Sequence, residues 1–204
     1  MLFVNIMSLQ NLSSVNDKLA ERLYIECEAA TVQAVFDKLC RCLVIRGVPF
    51  SFLSPVEGNL ISNISVAENI CLPLIWHSRG ELEEVENRIK EFLTVISSIH
   101  KVEEERILEI LQARPYELGL YEYDLALMLR VFIRKPKVIV IDPEWFMAIN
   151  SSIWHSCELL SILFGQLVWI VPINKPSKLP GFELGCWHHF SDPEDLMQLR
   201  GEWV

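Results

Sequence analysis

The sequence predicts an α/β fold with a mainly parallel sheet flanked by helices. The clearest evidence is the unbroken apolar run Val138–Ile141, which leads directly into Asp142. A short β-branched run of this kind is typical of a strand buried on both faces, as in parallel sheets that helices cover. A second strand candidate, residues 22–25, runs directly into a helical pattern at residues 28–43, and a third, residues 167–171, follows another helical pattern. Strands that alternate with helices favour a parallel sheet.

Length and composition predict one domain. The chain has 204 residues, of which 51% are hydrophobic and 22% are charged, and a chain of this size can bury one sizeable core. The formal net charge is -9 and the pI is near 5.1. A surface of this sign disfavours broad binding to nucleic acid or to anionic membranes. We therefore expect a single domain over residues 1–204 with no nucleic-acid partner.

The apolar segments are too short to cross a membrane. The richest ones, ICLPLIW and LVWIVPI, contain Pro73 and Pro172, and neither approaches the 18 or more residues of a spanning helix. The first residues lack the basic region and the cleavage site of a signal peptide. These observations predict a cytoplasmic protein without direct membrane insertion.

The cysteines and histidines give no metal-binding pattern. Six cysteines are scattered without a CxxC pair, which in a reducing compartment predicts small buried hydrophobes. Cys186, His188 and His189 are close in the chain, but no second ligand pair lies at suitable spacing. We expect no metal site, and we place both histidines on a surface loop.

The middle of the chain is predicted to be helical. Residues 81–99 carry an apolar stripe and a charged face, residues 102–112 form a second amphipathic segment, and a third helix follows Tyr121. Charge runs like these are usually the solvated side of a helix. A short strand at residues 2–6 and a short helix at residues 192–199 complete the prediction.

The link between the first strand and its helix has the position of a phosphate-binding loop but a different composition. A Walker A loop needs glycines whose N–H groups surround phosphate, a Lys, and a Ser or Thr for magnesium. No glycine occurs between Met1 and Ile45, and residues 27–31 read CEAAT. Because Glu28 would also repel phosphate, the sequence predicts no anion cradle of the usual kind.

Asp142 has two interpretations. The carboxyl end of a parallel strand is where open α/β sheets bind ligands, which makes Asp142 a candidate binding residue. An Asp followed by a proline, here Pro143, is also typical of a residue that opens a turn. The local sequence alone leaves both open.

Two stretches resemble landmarks of the ATP-binding-cassette (ABC) transporter ATPases. The stretch RPYELGLYEYDLALMLRVFIRKP and the following VIVIDPE, residues 114–144, resemble the signature helix and Walker B strand of that family. The stretch SVAENICLPL, residues 65–74, resembles the region that follows its Q-loop. The resemblance spans residues 21–174 through the order and spacing of five landmarks. It is closest in style to the small ATPase subunits of lipid- and lipoprotein-moving transporters.

This resemblance implies a P-loop-NTPase-like core with a helical subdomain inserted at approximately residues 66–130. The short connection after Leu43 implies that the family's antiparallel β arm is reduced or missing. Members of the family bind ATP at a head-to-tail dimer interface and couple its hydrolysis to a membrane permease.

The positions that carry catalysis in the family hold other residues here. In the Walker A loop, Gln33 replaces the Lys and Ala34 replaces the Ser or Thr, and Val56 replaces the Q-loop Gln. Leu120 and Tyr121 replace the two signature glycines. Pro143 replaces the catalytic Glu, with Glu144 shifted by one, and Ile173 replaces the switch His. Phosphoryl transfer depends on such positioned groups. The resemblance therefore implies a degenerate subunit that does not hydrolyse ATP and has no ATP or magnesium cofactor.

A subunit without this chemistry is expected to act through its shape. In the family, a groove beside the helical subdomain takes a cytoplasmic helix of the permease, which is helix-in-groove recognition. We assign to this groove Ile70, Leu72, Pro73, Leu74 and Trp76, and burial in the core is the competing interpretation. The expected partners are an integral membrane permease and an ABC-type ATPase subunit, as a homo- or heterodimer at the inner face of the membrane.

Two other functions stay open from the sequence. One is a nucleotide-binding ABC ATPase with weak or no turnover, in which Asp142 and Glu144 hold magnesium. The other is a soluble α/β adaptor that has no transporter and shares only the architecture.

Overall fold

A computed structural model of the protein describes residues 22–55, 60–77, 82–100, 104–151, 156–165, 167–179 and 187–190. Within these ranges, five strands form one sheet in the order β2-β3-β4-β1-β5, and every neighbouring pair is parallel. The strands are β1 Arg22–Glu26, β2 Phe50–Leu53, β3 Val138–Ile141, β4 Val168–Ile173 and β5 His188–Phe190. The predicted parallel α/β sheet is confirmed.

The described helices cover the sheet and fill the middle of the chain. They are α1 Val32–Ile45, α2 Val66–His77, α3 Leu82–His100, α4 Glu104–Gln112, α5 Leu120–Arg134, α6 Pro143–Ser151 and α7 Ser156–Phe164. Among them, α5 packs against α2, α3, α4 and the edge strand β2, and α3 also packs against α7. None of the described helices combines the length and apolar character that crossing a membrane requires.

The sheet is buried on both faces, as the unbroken apolar run predicts. Ile139 and Ile141 point to the larger core, which includes side chains of α3, α5 and α7. Val138 and Val140 point to the smaller core, which is completed by α1. Because successive strand residues point to opposite faces, all four residues of β3 are buried.

The link between α1 and β2 is short. After α1 ends, the N–H groups of Arg46, Gly47 and Val48 donate to the carbonyls of the last helical turn. Gly47 has φ of 65°, a left-handed value that glycine adopts without strain and that commonly ends a helix. The chain therefore enters β2 after residues 46–49, which leaves no room between α1 and β2 for an antiparallel arm.

Several element predictions need correction. Residues 147–150, for which the sequence analysis gives no element, lie in α6, because Asp142 provides the cap that starts a helix there. His188 and His189, predicted on a loop, lie in β5 and pair with β1. Helix α5 begins at Leu120 and includes Tyr121. The predicted strand at residues 2–6 and helix at 192–199 lie outside the described residues.

Candidate functional site

The main candidate site is a cavity of about 520 Å³ where β3 and β4 end, beside the start of α1. Five of the positions singled out from the sequence lie in its wall. The complete lining is Val32, Gln33, Phe36, Asp142, Pro143, Glu144, Met147, Ile173, Asn174 and Lys178. We call this cavity the strand-end cleft. Ligands of parallel α/β sheets bind at this edge, so the fold places the cleft where the sequence predicts a site.

Asp142 is engaged in hydrogen bonds within the protein. Its Oδ1 accepts from the backbone N–H groups of Glu144 at 2.8 Å and Trp145 at 3.0 Å, and its Oδ2 accepts from the Ser54 hydroxyl at 3.1 Å. The first two bonds satisfy N–H groups that the start of a helix leaves without partners. Since an ionised carboxylate has about four acceptor positions, three are already used. Asp142 thus caps α6 and ties it to the end of β2.

The link from β1 to α1 is a compact turn. Residues Ala29–Thr31 form a single 3-10 turn that leads directly into α1. The Cys27 N–H donates to the Ile173 carbonyl at 3.1 Å, and the Thr31 N–H donates to the Glu28 carbonyl at 2.9 Å. The Thr31 hydroxyl donates to that same carbonyl at 2.9 Å. A phosphate cradle requires several N–H groups that point together into a concavity, whereas these two point to carbonyls of the protein.

Gln33 and Ala34 lie in the first turn of α1 and are both exposed. Gln33 lines the cleft, and its Nε2 donates to Asp37 Oδ1 at 3.2 Å. Ala34 is not part of the cleft wall. Val56, the third position identified on this side, lies outside the described residues.

The end of β4 contributes an apolar and a basic group. Ile173 is 3% exposed and forms part of the cleft floor. Lys178, in the 3-10 turn Pro176–Lys178, also lines the cleft. Sequence reasoning missed Lys178; the available signal was its position a few residues beyond the C-terminal end of a predicted strand, where such sheets bind ligands.

Asp124 links α5 to the helix that starts at the cleft. Trp145 Nε1 donates to Asp124 Oδ1 at 2.7 Å. Burial raises the pKa of the Asp124 carboxyl, and the hydrogen bond from Trp145 opposes this rise. This contact joins the helical part of the chain to α6, beside Asp142.

The start of α5 exposes apolar surface. Leu120 is 90% exposed, and Tyr116, four residues earlier, is 64% exposed. Tyr121 turns inward, and burial raises the pKa of Tyr121 to about 12. The Gly119 N–H donates to Glu122 Oε2 at 3.0 Å, so a side chain occupies the N–H group at this helix start.

The start of α2 is held by the residues of the SVAEN stretch. Ser65 and Glu68 form a reciprocal capping box, in which the Ser65 N–H donates to Glu68 Oε2 at 2.7 Å and the Glu68 N–H donates to the Ser65 hydroxyl at 3.2 Å. These bonds lower the pKa of Glu68, chiefly through the Ser65 backbone N–H. Asn69 is 6% exposed, accepts from the Ile61 N–H at 2.6 Å and donates to the carbonyls of Ile61 and Ser65 at 3.0 Å.

The predicted permease groove is only partly described. Ile70 has no exposed surface and belongs to the larger core, so its assignment as a partner-contact residue is corrected to a core residue. Leu72 is half-buried. The side chains of Pro73, Leu74 and Trp76 lie outside what the structure describes.

Among the described residues, no group of three His, Cys, Asp or Glu side chains is placed to hold a metal ion. Cys186 lies outside the described residues, while His188 and His189 are both exposed.

The fold is that of ABC transporter cassettes. One similar solved structure is the dimeric bacterial ABC transporter cassette MJ0796, at 19% identity and a TM-score of 0.56, covering 86% of this chain and 83% of that chain. Another is an ATP-binding subunit of an ABC transporter, at 13% identity and a TM-score of 0.61, covering 89% and 83%. A third is cbiO1 from Clostridium perfringens, part of the cbiONQ transporter complex, at 12% identity and a TM-score of 0.56, covering 89% and 80%.

No protein-family model matches the sequence. No curated protein matches it either.

Proposed function

We propose that this chain is a catalytically degenerate ABC-type subunit that acts as a structural or regulatory component of a membrane transporter complex. In this proposal it docks a cytoplasmic helix of an integral membrane permease and pairs with an ABC-type ATPase subunit. Its place is the cytoplasmic face of the membrane, where the permease holds it. The ENICLPL stretch resembles the small ATPase subunits of lipid- and lipoprotein-moving transporters, which favours a system of that kind.

The observation that carries the proposal is the β1–α1 turn. The fold keeps the cleft, but the turn beside it directs the N–H groups of Cys27 and Thr31 to carbonyls of the protein. The first turn of α1 presents Gln33, whose amide bonds Asp37. Nucleotide phosphates need convergent N–H groups and positive charge. The turn therefore supports a subunit that works without bound nucleotide.

The other wall of the cleft supports the same proposal. Asp142 already accepts three hydrogen bonds, so a magnesium ion would compete with the cap of α6. Pro143 has no acid–base group, and the exposed Glu144 is the next residue of the helix. Because general bases act only within hydrogen-bond reach of the proton they remove, a one-residue shift weakens Glu144 as a replacement.

The neighbours support a transporter role. MJ0796 is a dimeric cassette, and cbiO1 is part of a transporter complex. A chain with this fold and with the α2 start held by Ser65, Glu68 and Asn69 retains a framework on which a permease helix can dock.

Co-purification from detergent-solubilised membranes tests the permease contact. We expect the tagged full-length chain to recover one integral membrane protein in stoichiometric amount, identified by mass spectrometry. Leu72→Glu should reduce that recovery, whereas Ile45→Glu, an exposed apolar position on α1, should not. Recovery of the chain without a membrane protein, in the host that encodes it, would contradict the transporter role.

One observation favours a second function, weak nucleotide binding. Lys178 lines the cleft and offers a positive charge that the Walker A position lacks. Under this alternative, magnesium nucleotide stabilises the chain against heating, and Lys178→Ala removes the stabilisation. Under the main proposal, nucleotide changes the melting temperature of neither protein.

A further inference from the structure

We propose that the C-terminal end of α1 forms a peripheral contact with an anionic lipid surface. The contact surface consists of Arg41, Val44, Ile45, Arg46 and Lys137, and we call it the α1-end patch. It lies where β2 and β3 begin, at the edge of the sheet opposite the strand-end cleft. The contact needs neither a permease nor a second subunit, so it goes beyond the proposed function.

The last turn of α1 exposes two neighbouring apolar side chains. Val44 is 65% exposed and Ile45 is 81% exposed, whereas the preceding Leu43 is fully buried in the smaller core. Residues three and four apart on a helix are neighbours, so Arg41 lies beside both apolar side chains. Apolar side chains that are exposed singly need no explanation, but a contiguous exposed set with a polar rim marks an interaction surface.

Basic side chains surround this apolar pair. Arg41 and Arg46 are both exposed, and neither forms an ion pair within the part of the chain that the structure describes. The N–H of the exposed Lys137 donates to the Pro49 carbonyl at 2.8 Å. This bond places the start of β3 beside the link that follows α1. Three basic residues therefore lie around the exposed end of the helix.

The patch is basic although the whole chain has a formal net charge of -9. Residues 38–56 contain three basic residues and no acidic one, and residues 125–141 contain four basic residues and no acidic one. In the second segment, Lys135 pairs with Glu84 and Arg130 is buried. Salt screens charges beyond about 8–10 Å, so acidic residues elsewhere on the surface do not cancel the local attraction. The uneven charge also turns this end of the chain toward an anionic surface.

An anionic lipid surface fits both the chemistry and the shape of the patch. Elements that bind membrane surfaces combine apolar side chains, which enter the headgroup layer, with Lys or Arg side chains, which meet the anionic headgroups. The chain turns away at Gly47 directly after α1, so Val44 and Ile45 project from the end of a helix. A partner helix binds in a groove, whereas a projecting pair of side chains can enter a lipid layer.

The test measures sedimentation of the purified full-length chain with phospholipid vesicles, without detergent or permease. We expect binding to vesicles of phosphatidylserine and phosphatidylcholine in equal parts, and none to vesicles of phosphatidylcholine alone. A basic residue near such a surface contributes about 5-fold in affinity, so the double change Arg41→Gln and Arg46→Gln should weaken binding by about 25-fold. Raising the salt concentration should weaken the binding of the wild type.

The double change Lys90→Gln and Lys175→Gln is the matched control, because it alters the net charge equally. Both side chains are exposed; Lys90 belongs to α3, on the other face of the sheet, and Lys175 follows the carboxyl end of β4. Distant charges are screened, so binding should stay within about 2-fold of the wild type. All four positions are exposed, and circular dichroism should show unchanged folding.

A second pair of changes tests the apolar part of the patch. Val44→Ser with Ile45→Ser should weaken vesicle binding by at least ~10-fold, because apolar surface no longer leaves water on binding. The salt dependence should remain that of the wild type, since the basic side chains are unchanged. Leu108→Ser, at an apolar position of α4 that is 47% exposed, should bind vesicles as the wild type does.

Three results would overturn the proposal. The first is no binding to the anionic vesicles above that to phosphatidylcholine alone. The second is an equal loss of binding in the arginine variant and in its lysine control. The third is capture of an acidic protein or a nucleic acid through Arg41 and Arg46 without vesicle binding, which would assign the patch to that partner. Because no permease is present, each of these results leaves the docking of a permease helix to be decided by co-purification.

Discussion

The link before α2 and the link between β1 and α1 differ in which groups form their hydrogen bonds. In the link before α2, the buried Asn69 side chain bonds Ile61 and Ser65, and Ser65 and Glu68 cap the helix. In the β1–α1 link, the N–H groups of Cys27 and Thr31 and the hydroxyl of the exposed Thr31 donate to backbone carbonyls.

This comparison distinguishes residues that stabilise the fold from residues at the positions that contact nucleotide in the resembled family. The residues that match the resembled family, such as Glu68 and Asn69, form bonds that hold the fold. Two residues that depart from it at the Walker A position, Gln33 and Ala34, are exposed and contribute little to the fold. We infer that the framework of the cassette is maintained while the nucleotide contacts have been replaced, and the following changes test that inference from the largest expected effect to the smallest.

Asn69→Ala should have the largest effect. The Asn69 side chain is buried, and the change removes its bonds to the Ile61 N–H and to the carbonyls of Ile61 and Ser65. We therefore expect the free energy of unfolding to fall by about 2–4 kcal/mol. Urea denaturation followed by circular dichroism measures this. Asn63→Ala, an exposed position in the same loop, is the control and should change stability by less than about 0.5 kcal/mol. Equal effects of the two changes would mean that Asn69 does not organise the link.

Asp142→Ala should have the second-largest effect on the free energy of unfolding. It removes the helix cap and leaves the Ser54 hydroxyl without this acceptor, so we expect a loss of about 1–2 kcal/mol. Asp142→Asn, which can still cap a helix, should cost less in the same denaturation experiment. If Asp142→Ala were neutral, the assignment of Asp142 to the framework would be wrong.

Asp124→Asn should remove the pH dependence that the Asp124 carboxyl gives to the free energy of unfolding. Burial raises the folded-state pKa of Asp124 above its unfolded value. The folded state therefore binds this proton more tightly, and the resulting stability is present at low pH and is lost as the pH rises through the folded pKa. The window starts at the ordinary aspartate pKa of about 3.9 and extends upward.

The measurement compares wild type with Asp124→Asn across that window. The stability of the wild type relative to the variant should decrease with rising pH and then level off. Glu84→Gln, an exposed control whose carboxylate pairs with Lys135, should give the opposite slope, since that pairing lowers its pKa. A constant difference for Asp124→Asn would contradict the buried carboxyl.

The double change Gln33→Lys and Ala34→Ser should have the smallest effect. It restores the two side chains that the resembled family uses, but not a turn with free N–H groups, so we expect no gain in affinity for magnesium ATP. Both positions are exposed, and stability should change by less than about 0.5 kcal/mol. Tight nucleotide binding by this variant would show that side chains alone separate the chain from an active cassette.

The sequence predicted most of the fold because its signals are local. The run Val138–Ile141 is apolar throughout, which indicates burial on both faces, and the amphipathic patterns of α3 and α4 identify their buried stripes. The resemblance to the ABC family identified the candidate positions Gln33, Asp142, Pro143, Glu144 and Ile173. The structure brings these five into one wall.

The features that the sequence did not reveal depend on long-range contacts. Lys178 lines the cleft because the 3-10 turn after β4 places it beside residues of α1 and α6. Residues 147–150 became helical because Asp142, at the end of a strand, caps α6. Ile70 was assigned to a partner surface, but its burial depends on how α2 packs against α5, which spacing within α2 does not specify.

Isothermal titration of the purified chain with ATP and magnesium tests the central claim most directly. The account predicts no saturable heat at millimolar nucleotide, because Cys27 and Thr31 direct their N–H groups to protein carbonyls and Gln33 replaces the positive charge. Saturable binding that Lys178→Ala abolishes would contradict the account and identify the strand-end cleft as a working nucleotide site.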